Sequence, residues 1–305
     1  MSIYAYNFAQ IDTNYINVFK NKISLGGKIG ALNNNFILKN DSNSYNLNSN
    51  IVPTFTLWFK YKKLPTIAIL IPVSVFTPDT LAKTKGIAID LKGQIAKGFI
   101  LDGYFFFERG FNLQDRSNFR DIKPMFSTYN VNGNLELFYI FNFKKLSYKN
   151  PYLFGEIQKK SAGSFMLGTS VGFFKLHNEY SFFKDISDYN RDLNFKDVST
   201  ITLSISGSYI HTLVFGKSKK WFVNGALTVG PSLNIGNTTY FDVAEKEKIL
   251  KLGLNTKYKF AIGHNFKKWN LSLTSKGDFV TFRPSERTIL NSNVIDLKFS
   301  TIYKF

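Results

Sequence analysis

The chain has 305 residues, no cysteine and a formal net charge of +18. Phenylalanine (32) and tyrosine (16) are abundant, which is typical of strands, and disulfides and thiolate metal sites are excluded. No uninterrupted apolar run approaches the roughly 20 residues that a membrane-spanning helix needs. The lysines are spread singly, without a basic helix or recognition motif beside them, so we expect no nucleic-acid partner.

The N-terminal stretch MSIYAYNFAQ lacks the positive region and the long apolar stretch of a signal peptide. However, NFA followed by Gln10 resembles the end of a cleaved export signal. We therefore interpret residues 1–14 as an N-terminal extension or the remnant of an export signal that is missing or trimmed from this sequence. Cytoplasmic residence is the alternative.

From residue 22 onward, segments that alternate apolar and polar residues recur to the end of the chain, and each predicts a strand with two unlike faces. In one of them Leu252 and Leu254 oppose Asn255. About twelve strands are predicted in this way. They are 22–31, 54–61, 65–76, 85–95, 99–108, 130–142, 164–175, 198–212, 221–234, 250–263, 269–280 and 293–305.

The connections between these segments alternate in length. Long polar links are predicted at 32–50, 109–129, 177–197, 235–248 and 281–292, with a shorter one at 77–84, whereas 62–64, 96–98, 215–220 and 264–268 are tight turns. Long loops at one rim and short turns at the other are typical of outer-membrane barrels. The link 143–163 breaks the pattern, because it is long where a short turn is expected.

In a soluble sandwich, a second apolar surface would have to cover each apolar strand face. The sequence offers neither helices nor strands that are apolar on both faces to do so. We therefore predict an all-β fold over residues 15–305: a single closed antiparallel transmembrane β-barrel of about twelve strands in a bacterial outer membrane, with short periplasmic turns and long extracellular loops. The apolar parity faces lipid and the polar parity lines the lumen. The predicted lumen-lining residues are Asp90, Lys92, Glu136, Lys257, Lys259, Lys276, Asp278, Asp296 and Lys298.

The last strand ends in Tyr303 and Phe305, which with Trp221 and Trp269 we assign to an aromatic girdle at the periplasmic interface. A terminal Phe preceded by apolar residues at alternating positions resembles the C-terminal signal that the barrel-assembly machinery reads. The stretches YINVFKNKISLGGKIG (15–30), KGIAIDLKGQIAKGF (85–99) and EIQKKSAGSFMLG (156–168) resemble a Bacteroidota outer-membrane barrel family, domain of unknown function 4421. The resemblance implies an outer-membrane barrel over most of the chain and brings no established activity.

The cluster Lys159, Lys160 and Ser161 could suggest a lysine-activated serine nucleophile. Adjacent residues of a strand point to opposite faces, so we favour a structural role for it. We expect 143–163 to pack at or inside the periplasmic mouth, with Lys159 or Lys160 near a lumen carboxylate. Shortening this segment would then open the mouth to small solutes.

We expect neither an enzyme nor a metal or cofactor site. No His-x-Ser pair is present, and His177, with Asn178, Glu179 and Ser181 nearby, is the place to look if the barrel modifies lipid. The acidic stretches DISDYNRD (185–192) and DVAEKE (242–247) lack the spacing of a calcium loop.

Two functions stay open. Twelve strands permit either a filled or an open lumen. Bulky inward residues favour a narrow or partly occluded barrel with a binding or structural and assembly role, whereas the lumen lysines favour a small diffusion channel for anionic solutes. The expected partners are outer-membrane lipid and lipopolysaccharide, the barrel-assembly machinery and an envelope protein. The bulky inward residues are Trp58, Tyr104, Phe106, Phe138 and Phe222.

Overall fold

The described part of the chain in a computed structural model is almost entirely β-strand. It comprises residues 11–18, 23–41, 43–50, 52–61, 66–72, 80–116, 122–153, 155–181, 193–218, 220–241, 246–266, 269–285 and 287–304. Among these residues, no helix has the length and apolar character to cross a membrane.

The strands and one short helix follow each other along the chain in an order close to the predicted one. They are β1 (Ile16–Val18), β2 (Ile23–Lys39), β3 (Ser44–Asn48), β4 (Val52–Tyr61), β5 (Thr66–Pro72), β6 (Lys85–Ala96), β7 (Phe99–Asp115), β8 (Ile122–Ile140), α1 (Lys149–Tyr152), β9 (Glu156–Gln158), β10 (Ala162–His177), β11 (Phe195–Phe215), β12 (Trp221–Tyr240), β13 (Glu247–Asn265), β14 (Trp269–Phe282) and β15 (Ile289–Lys304).

A single antiparallel sheet closes on itself to form a barrel. Each strand of the ring pairs with its neighbours, and β15 pairs with β2 from Ile289↔Lys39 to Lys304↔Ser24 to complete the circuit. Within the described residues the sheet has 13 strands, and without the short bridging strand β3 the closed ring is β2, β4 to β8 and β10 to β15. The predicted closed barrel of about twelve antiparallel strands is confirmed.

The two rims of the barrel differ. We call the end that holds the 96–99, 215–221 and 265–269 connections the turn rim, and the opposite end, with the 39–44, 115–122, 177–195, 240–247 and 282–289 connections, the loop rim. At the β6–β7 turn Gly98 has a φ of +79°, a conformation that glycine adopts without a steric penalty.

The barrel narrows toward the loop rim, because β3 replaces the three short strands β4, β5 and β6 there. Strand β3 pairs with the end of β2 (Asn35↔Asn48) and with the end of β7 (Leu47↔Leu113). The exchange of partners coincides with a bulge in β7 between Arg109 and Phe111, where Gly110 has a φ of +89°. Gly110 lies so close to the Lys83 carbonyl that a Cβ would not fit.

Outward and inward residues alternate as the sequence predicts. On β13, Leu250, Leu252 and Leu254 are 68%, 78% and 53% exposed, whereas Asn255 and Lys257 are 5% exposed. This inverted pattern is that of a barrel whose exterior contacts lipid. At the turn rim Trp221 and Trp269 are exposed, and the Trp269 ring lies 4.8 Å from that of Tyr303. Phe305 lies outside the described residues.

The structure corrects the lengths of several predicted loops. Strand β2 runs to Lys39, β7 runs to Asp115 and β8 begins at Ile122, so much of the predicted links 32–50 and 109–129 is strand. Polar and small residues in these stretches obscure the alternation. At the N-terminus, β1 pairs with β9 in a separate two-stranded sheet, although the predicted barrel domain begins at residue 15. Residues 1–10 lie outside the described part.

The lipid-facing parity can be tested at Leu203, which is 43% exposed on β11. Leu203→Arg should destabilise the folded barrel by about 2 to 4 kcal/mol if it lies near the bilayer midplane, because a charge enters hydrocarbon. A folding titration in lipid vesicles measures the change, with Leu203→Met as the matched control. Equal stabilities for the two variants would contradict a lipid-facing wall. From the sequence alone, Arg at the neighbouring Ser204, on the lumen parity, would be expected to cost much less. However, Ser204 is buried in a packed interior, so we expect Arg to be costly there too.

Candidate functional site

The segment between β8 and β10, residues 141–161, folds back into the turn-rim mouth, and we call it the plug. Its helix α1 and its residues Leu146, Tyr148 and Leu153 are buried against the inner wall. Apolar residues on the inner face of β7, β8 and β10 to β13 pack against these plug residues. Side chains therefore fill the mouth. These wall residues are Ile100, Phe138, Ile140, Ala162, Met166, Ile210, Phe222 and Ala261.

Gln158 ties the two ends of the plug together. Its Nε2 donates to the carbonyls of Lys145 (2.6 Å) and Lys160 (2.8 Å), and its Oε1 accepts from the Ser147 N–H at 2.7 Å. Glu156 accepts from the Ser147 hydroxyl at 2.6 Å and pairs with Lys149 at 3.1 Å. Through these contacts Glu156 and Gln158, both within the stretch EIQKKSAGSFMLG, fix the conformation of the plug.

Two tyrosines of the plug reach the wall. The Tyr148 hydroxyl donates to Asp102 Oδ2 at 2.9 Å, and the Tyr152 hydroxyl donates to Asn224 Oδ1 at 2.5 Å. Burial raises the pKa of Tyr148 and of Tyr152 above the usual tyrosine value. Both phenols therefore stay protonated donors at neutral pH.

The hypothesis that Lys159 or Lys160 meets a lumen carboxylate is wrong in its detail. Lys159 and Lys160 are exposed at the outer side of the plug; Lys159 Nζ donates to the Thr13 carbonyl at 2.7 Å, and Lys160 Nζ lies 5.4 Å from the Tyr15 ring. Ser161 Oγ accepts from the Val214 N–H at 3.0 Å. Strand β9 pairs with β1, so Lys159 points away from the lumen, and Tyr148 makes the contact to a carboxylate instead.

Above the plug, charged side chains from opposite walls meet in the middle of the barrel. Lys257 on β13 forms an ion pair and a hydrogen bond with Glu136 on β8, although three strands of the ring lie between them. Lys259 on β13 reaches Asp102 on β7 at 2.7 Å, and Lys276 on β14 reaches Asp90 on β6 at 3.4 Å. The walls β6–β8 and β13–β15 are therefore joined across the lumen.

Further pairs complete what we call the ion-pair layer, so that each of its carboxylates has a lysine within 4 Å. Tyr104 also donates to Asp278 Oδ2 at 2.7 Å. The remaining pairs are Lys92–Asp102 (3.8 Å), Lys257–Asp278 (3.3 Å), Lys276–Asp296 (3.5 Å), Lys298–Asp90 (3.5 Å) and Lys298–Asp296 (2.7 Å).

The remaining space around these charges is small. One cavity of about 40 Å³ adjoins Asp90, Tyr104 and Lys257, and another of about 30 Å³ lies between the layer and Tyr152 of the plug. A single water needs roughly 10–15 Å³ by this measure, so the two cavities hold a few waters each. They are too small for a solute path.

The charges of the layer nearly cancel. The residues that line the two cavities include five carboxylates and, counting Lys28, six lysines. The lining of these two cavities therefore carries about one net positive charge, whereas the whole chain carries +18. A strong positive potential that would attract anions does not arise from this arrangement.

The loop-rim half of the lumen holds an apolar cluster that we call the apolar cap. Phe36 packs against Phe111 and Phe174 with ring centroids 5.7 Å and 5.5 Å apart. The described interior thus includes the plug, the ion-pair layer and the apolar cap in sequence, with two smaller buried clusters around Phe106 and Trp58. The members of the cap are Phe36, Leu38, Tyr45, Leu47, Phe111, Leu113, Met125, Phe174, Leu176, Leu193, Phe195, Val198, Tyr240, Ile249, Phe282 and Leu290.

The structure places the nine lumen residues named from the sequence in one connected layer, together with Tyr104, which was named as a bulky inward residue. Lys28, Asp102 and Tyr148 belong to the layer in addition. Strand alternation alone could have added Lys28 and Asp102, since both lie on the polar parity of predicted strands. No sequence signal marks Tyr148, because its contact depends on the fold of the plug.

The other candidate residues lie at the loop rim. His177 Nδ1 lies 2.8 Å from Asp197 Oδ1, and the Ser181 hydroxyl donates to Asn194 at 2.7 Å rather than to the histidine. In the acidic stretches, residues 182–192 and 242–245 lie outside the described part, and Glu247 accepts from the Tyr240 hydroxyl at 3.0 Å.

The fold and its contents define a transmembrane β-barrel with a packed lumen. The family model described as Domain of unknown function (DUF4421) matches residues 10–305, and the chain belongs to this family. No curated protein matches the chain.

Solved structures with a similar arrangement of strands are distant in sequence. The outer membrane protease OmpT from Escherichia coli is 10% identical with a TM-score of 0.46, over 95% of this chain and 98% of that one. The translocator domain of the autotransporter NalP from Neisseria meningitidis is 9% identical with a TM-score of 0.45, over 94% and 89%. The toluene transporter TodX from P. putida is 8% identical with a TM-score of 0.31, over 93% and 90%. These values are too low to transfer an activity.

The ion-pair layer predicts a large stability effect at Lys257. Lys257→Met should destabilise the barrel by about 3 to 5 kcal/mol, because it leaves the carboxylates of Glu136 and Asp278 buried without their cation. Adding Glu136→Gln should restore part of the loss. Urea unfolding of the single and double variants measures the coupling, and Thr256→Met, on the outer face of the same strand, is the control. Additive effects of the two substitutions would contradict a direct interaction across the lumen.

Proposed function

We propose that the protein is a bacterial outer-membrane barrel with a closed lumen and a structural, assembly or partner-binding role. The observation that carries the proposal is the occlusion of the lumen, in which ion pairs cross between opposite walls beneath an apolar cap and above a plug. The apolar exterior and the exposed tryptophans at the turn rim support insertion in a membrane. The resemblance of EIQKKSAGSFMLG supports an origin in Bacteroidota.

The turn rim is the surface we assign to an envelope partner. Exposed lysines gather there, whereas Asp12 is half-buried and Glu156 is buried and paired with Lys149. A concavity of about 540 Å³ lies among Lys159, Lys160 and Lys220. An acidic partner segment fits this rim by charge. The exposed lysines are Lys97, Lys144, Lys145, Lys159, Lys160, Lys217 and Lys220.

The diffusion channel and the enzyme are the less favoured functions. The channel would need a path through all three layers, and the nearly neutral ion-pair layer gives little preference for anions. We infer no catalytic activity, since the His177–Asp197 pair has no serine hydroxyl among its described contacts. Assembly through the C-terminal strand, which ends near Tyr303, is part of the proposal.

Conductance measurements distinguish these functions. The purified barrel, inserted in a planar bilayer, should give no stable conductance steps, because side chains fill the lumen. Insertion is verified in parallel by co-flotation with vesicles and by retarded migration of the unheated protein on gels. Stable, anion-biased steps from an inserted barrel would overturn the closed-lumen proposal in favour of the channel.

A variant with residues 143–161 replaced by a tight turn tests which layer closes the barrel. We expect it to stay silent but to be less heat-stable, since the ion-pair layer and apolar cap remain while the wall residues around Phe222 lose their cover. This expectation replaces the one drawn from the sequence alone, in which the plug was the main closure. Conductance that appears only in the shortened variant would support that earlier hypothesis.

A further inference from the structure

The outer wall of the barrel carries a row of charged residues at the loop-rim end of β6, β7, β8, β10 and β11. Strand pairing places Lys85 beside Arg109, Arg109 beside Tyr129, Tyr129 beside His177 and His177 beside Asp197. Because all five occupy the outward parity, they form one row across the five strands. With Lys175 one step below, the row holds three permanent cations, the histidine and one carboxylate.

The wall becomes apolar directly beneath this row. The next outward positions are Ile87 and Phe107, then Ile89 and Phe105, and these large side chains are 37% to 45% exposed. Two residues along a strand advance about 7 Å. On β6 and β7 the change from charge to hydrocarbon therefore occurs within a single row, as expected where lipid phosphates meet acyl chains.

A trough lies in this apolar wall. A depression of about 420 Å³ runs over the outer face of β6, β7, β8, β10 and β11, where Gly103 and Gly133 occupy outward positions that carry no side chain. A second depression of about 660 Å³ adjoins it and shares Leu135 and Val171. Together they give the wall a broad concavity lined by apolar side chains.

The depth of the trough corresponds to one leaflet. From Arg109 to Gly103, six residues along a tilted strand cover on the order of 20 Å of strand and about 14 Å of membrane depth. Half of a hydrocarbon core of about 30 Å is about 15 Å. A lipid with its head at the charged row would thus lay its chains in the trough and end near the midplane.

The cations of the row are arranged to receive an anion. Arg109 Nε donates to the Phe126 carbonyl at 3.2 Å, which orients the guanidinium on the outer face and leaves its terminal N–H groups for a phosphate. Lys175 Nζ lies 3.8 Å from Asp197 Oδ1 and 5.9 Å from the Tyr129 ring, so its position is restrained beside Arg109. Asp197, which also contacts His177, offsets one of the three permanent charges.

We propose that this wall is a binding site for a phosphorylated, multiply acylated lipid of the leaflet at the loop rim, namely the lipid A portion of lipopolysaccharide. Arg109, Lys175 and Lys85 bind its phosphates and the trough around Val171 and Gly133 holds its acyl chains. The choice of lipid A rests on the proposed outer-membrane location, because that leaflet is where such lipids lie. The breadth of the trough, which spans five strands in the first depression and extends to β13 in the second, suits several chains rather than one.

The test measures binding of lipid A to the folded barrel in neutral detergent by native mass spectrometry and thermophoresis. Dephosphorylated lipid A and phosphatidylglycerol are the comparison ligands. Lipid A should bind at least tenfold more tightly than either. The variant Arg109→Gln/Lys175→Gln should lose at least tenfold in lipid A affinity, because two phosphate ligands are removed, and Arg109→Lys/Lys175→Arg should stay within about twofold.

A second variant fills the trough. Val171→Trp should weaken binding of lipid A and of its dephosphorylated form alike. Leu297→Trp on β15 and Arg283→Gln just after β14, on strands that line neither depression, should change neither. Retarded gel migration verifies folding of each variant. Unchanged affinity in the charge variant, or equal binding of phosphatidylglycerol, would overturn the lipid A site. Either result would leave the closed lumen intact, since conductance tests that part of the proposal separately.

Discussion

The ion pairs that join opposite walls of the barrel are the interaction on which the rest of the interior depends. A charge removed from water is costly unless an opposite charge and hydrogen bonds compensate it. Here Glu136, Asp102 and Asp90 each pair with a lysine on the far wall, and Asp102 has a second lysine, Lys92, on the neighbouring strand β6. The walls β6–β8 and β13–β15 must therefore approach to side-chain contact distance, and the width of the lumen is set by the reach of a lysine.

The strands between these walls are adapted to that approach. In the middle of β10, β11 and β12 the inward residues are Gly, Ser and Thr. Their hydroxyls bond to one another, as in Ser170 Oγ with Ser204 Oγ at 2.6 Å and Ser208 with Thr228 at 2.7 Å. Small inward side chains leave room for Lys257 to reach Glu136. The plug and the apolar cap then exclude water on both sides, which strengthens the ion pairs by lowering the local dielectric. The same exclusion makes the loss of any single partner more costly.

The sequence predicts the wall of this barrel better than its contents. Period-two alternation identifies every ring strand and the parity of Leu254 against Asn255, because most lipid-facing positions are apolar and many of their inward neighbours are polar or small. The same rule places Asp90 and Lys257 inside but does not say that they meet across the lumen, since alternation fixes a face and not a distance. The predicted contact of Lys159 with a lumen carboxylate was wrong because the neighbouring strand is β1, which is too short to show an alternating pattern in the sequence. Strand β3 was missed for a related reason: SYNLN has little apolar contrast, although it closes the narrow end.

The distribution of charge separates the surfaces that can act on other molecules from those that hold the barrel together. A lysine that pairs with a buried carboxylate stabilises the fold, and most of the lumen lysines form such ion pairs. The surplus that makes the chain basic must therefore lie elsewhere, and part of it lies at the turn rim and in the row around Arg109. Both places adjoin apolar surface and face outward, where an anionic partner or lipid can approach without disturbing the interior. The protein can thus bind an anionic partner or lipid at the turn rim and on the outer wall, while the charged groups of the lumen pair with one another.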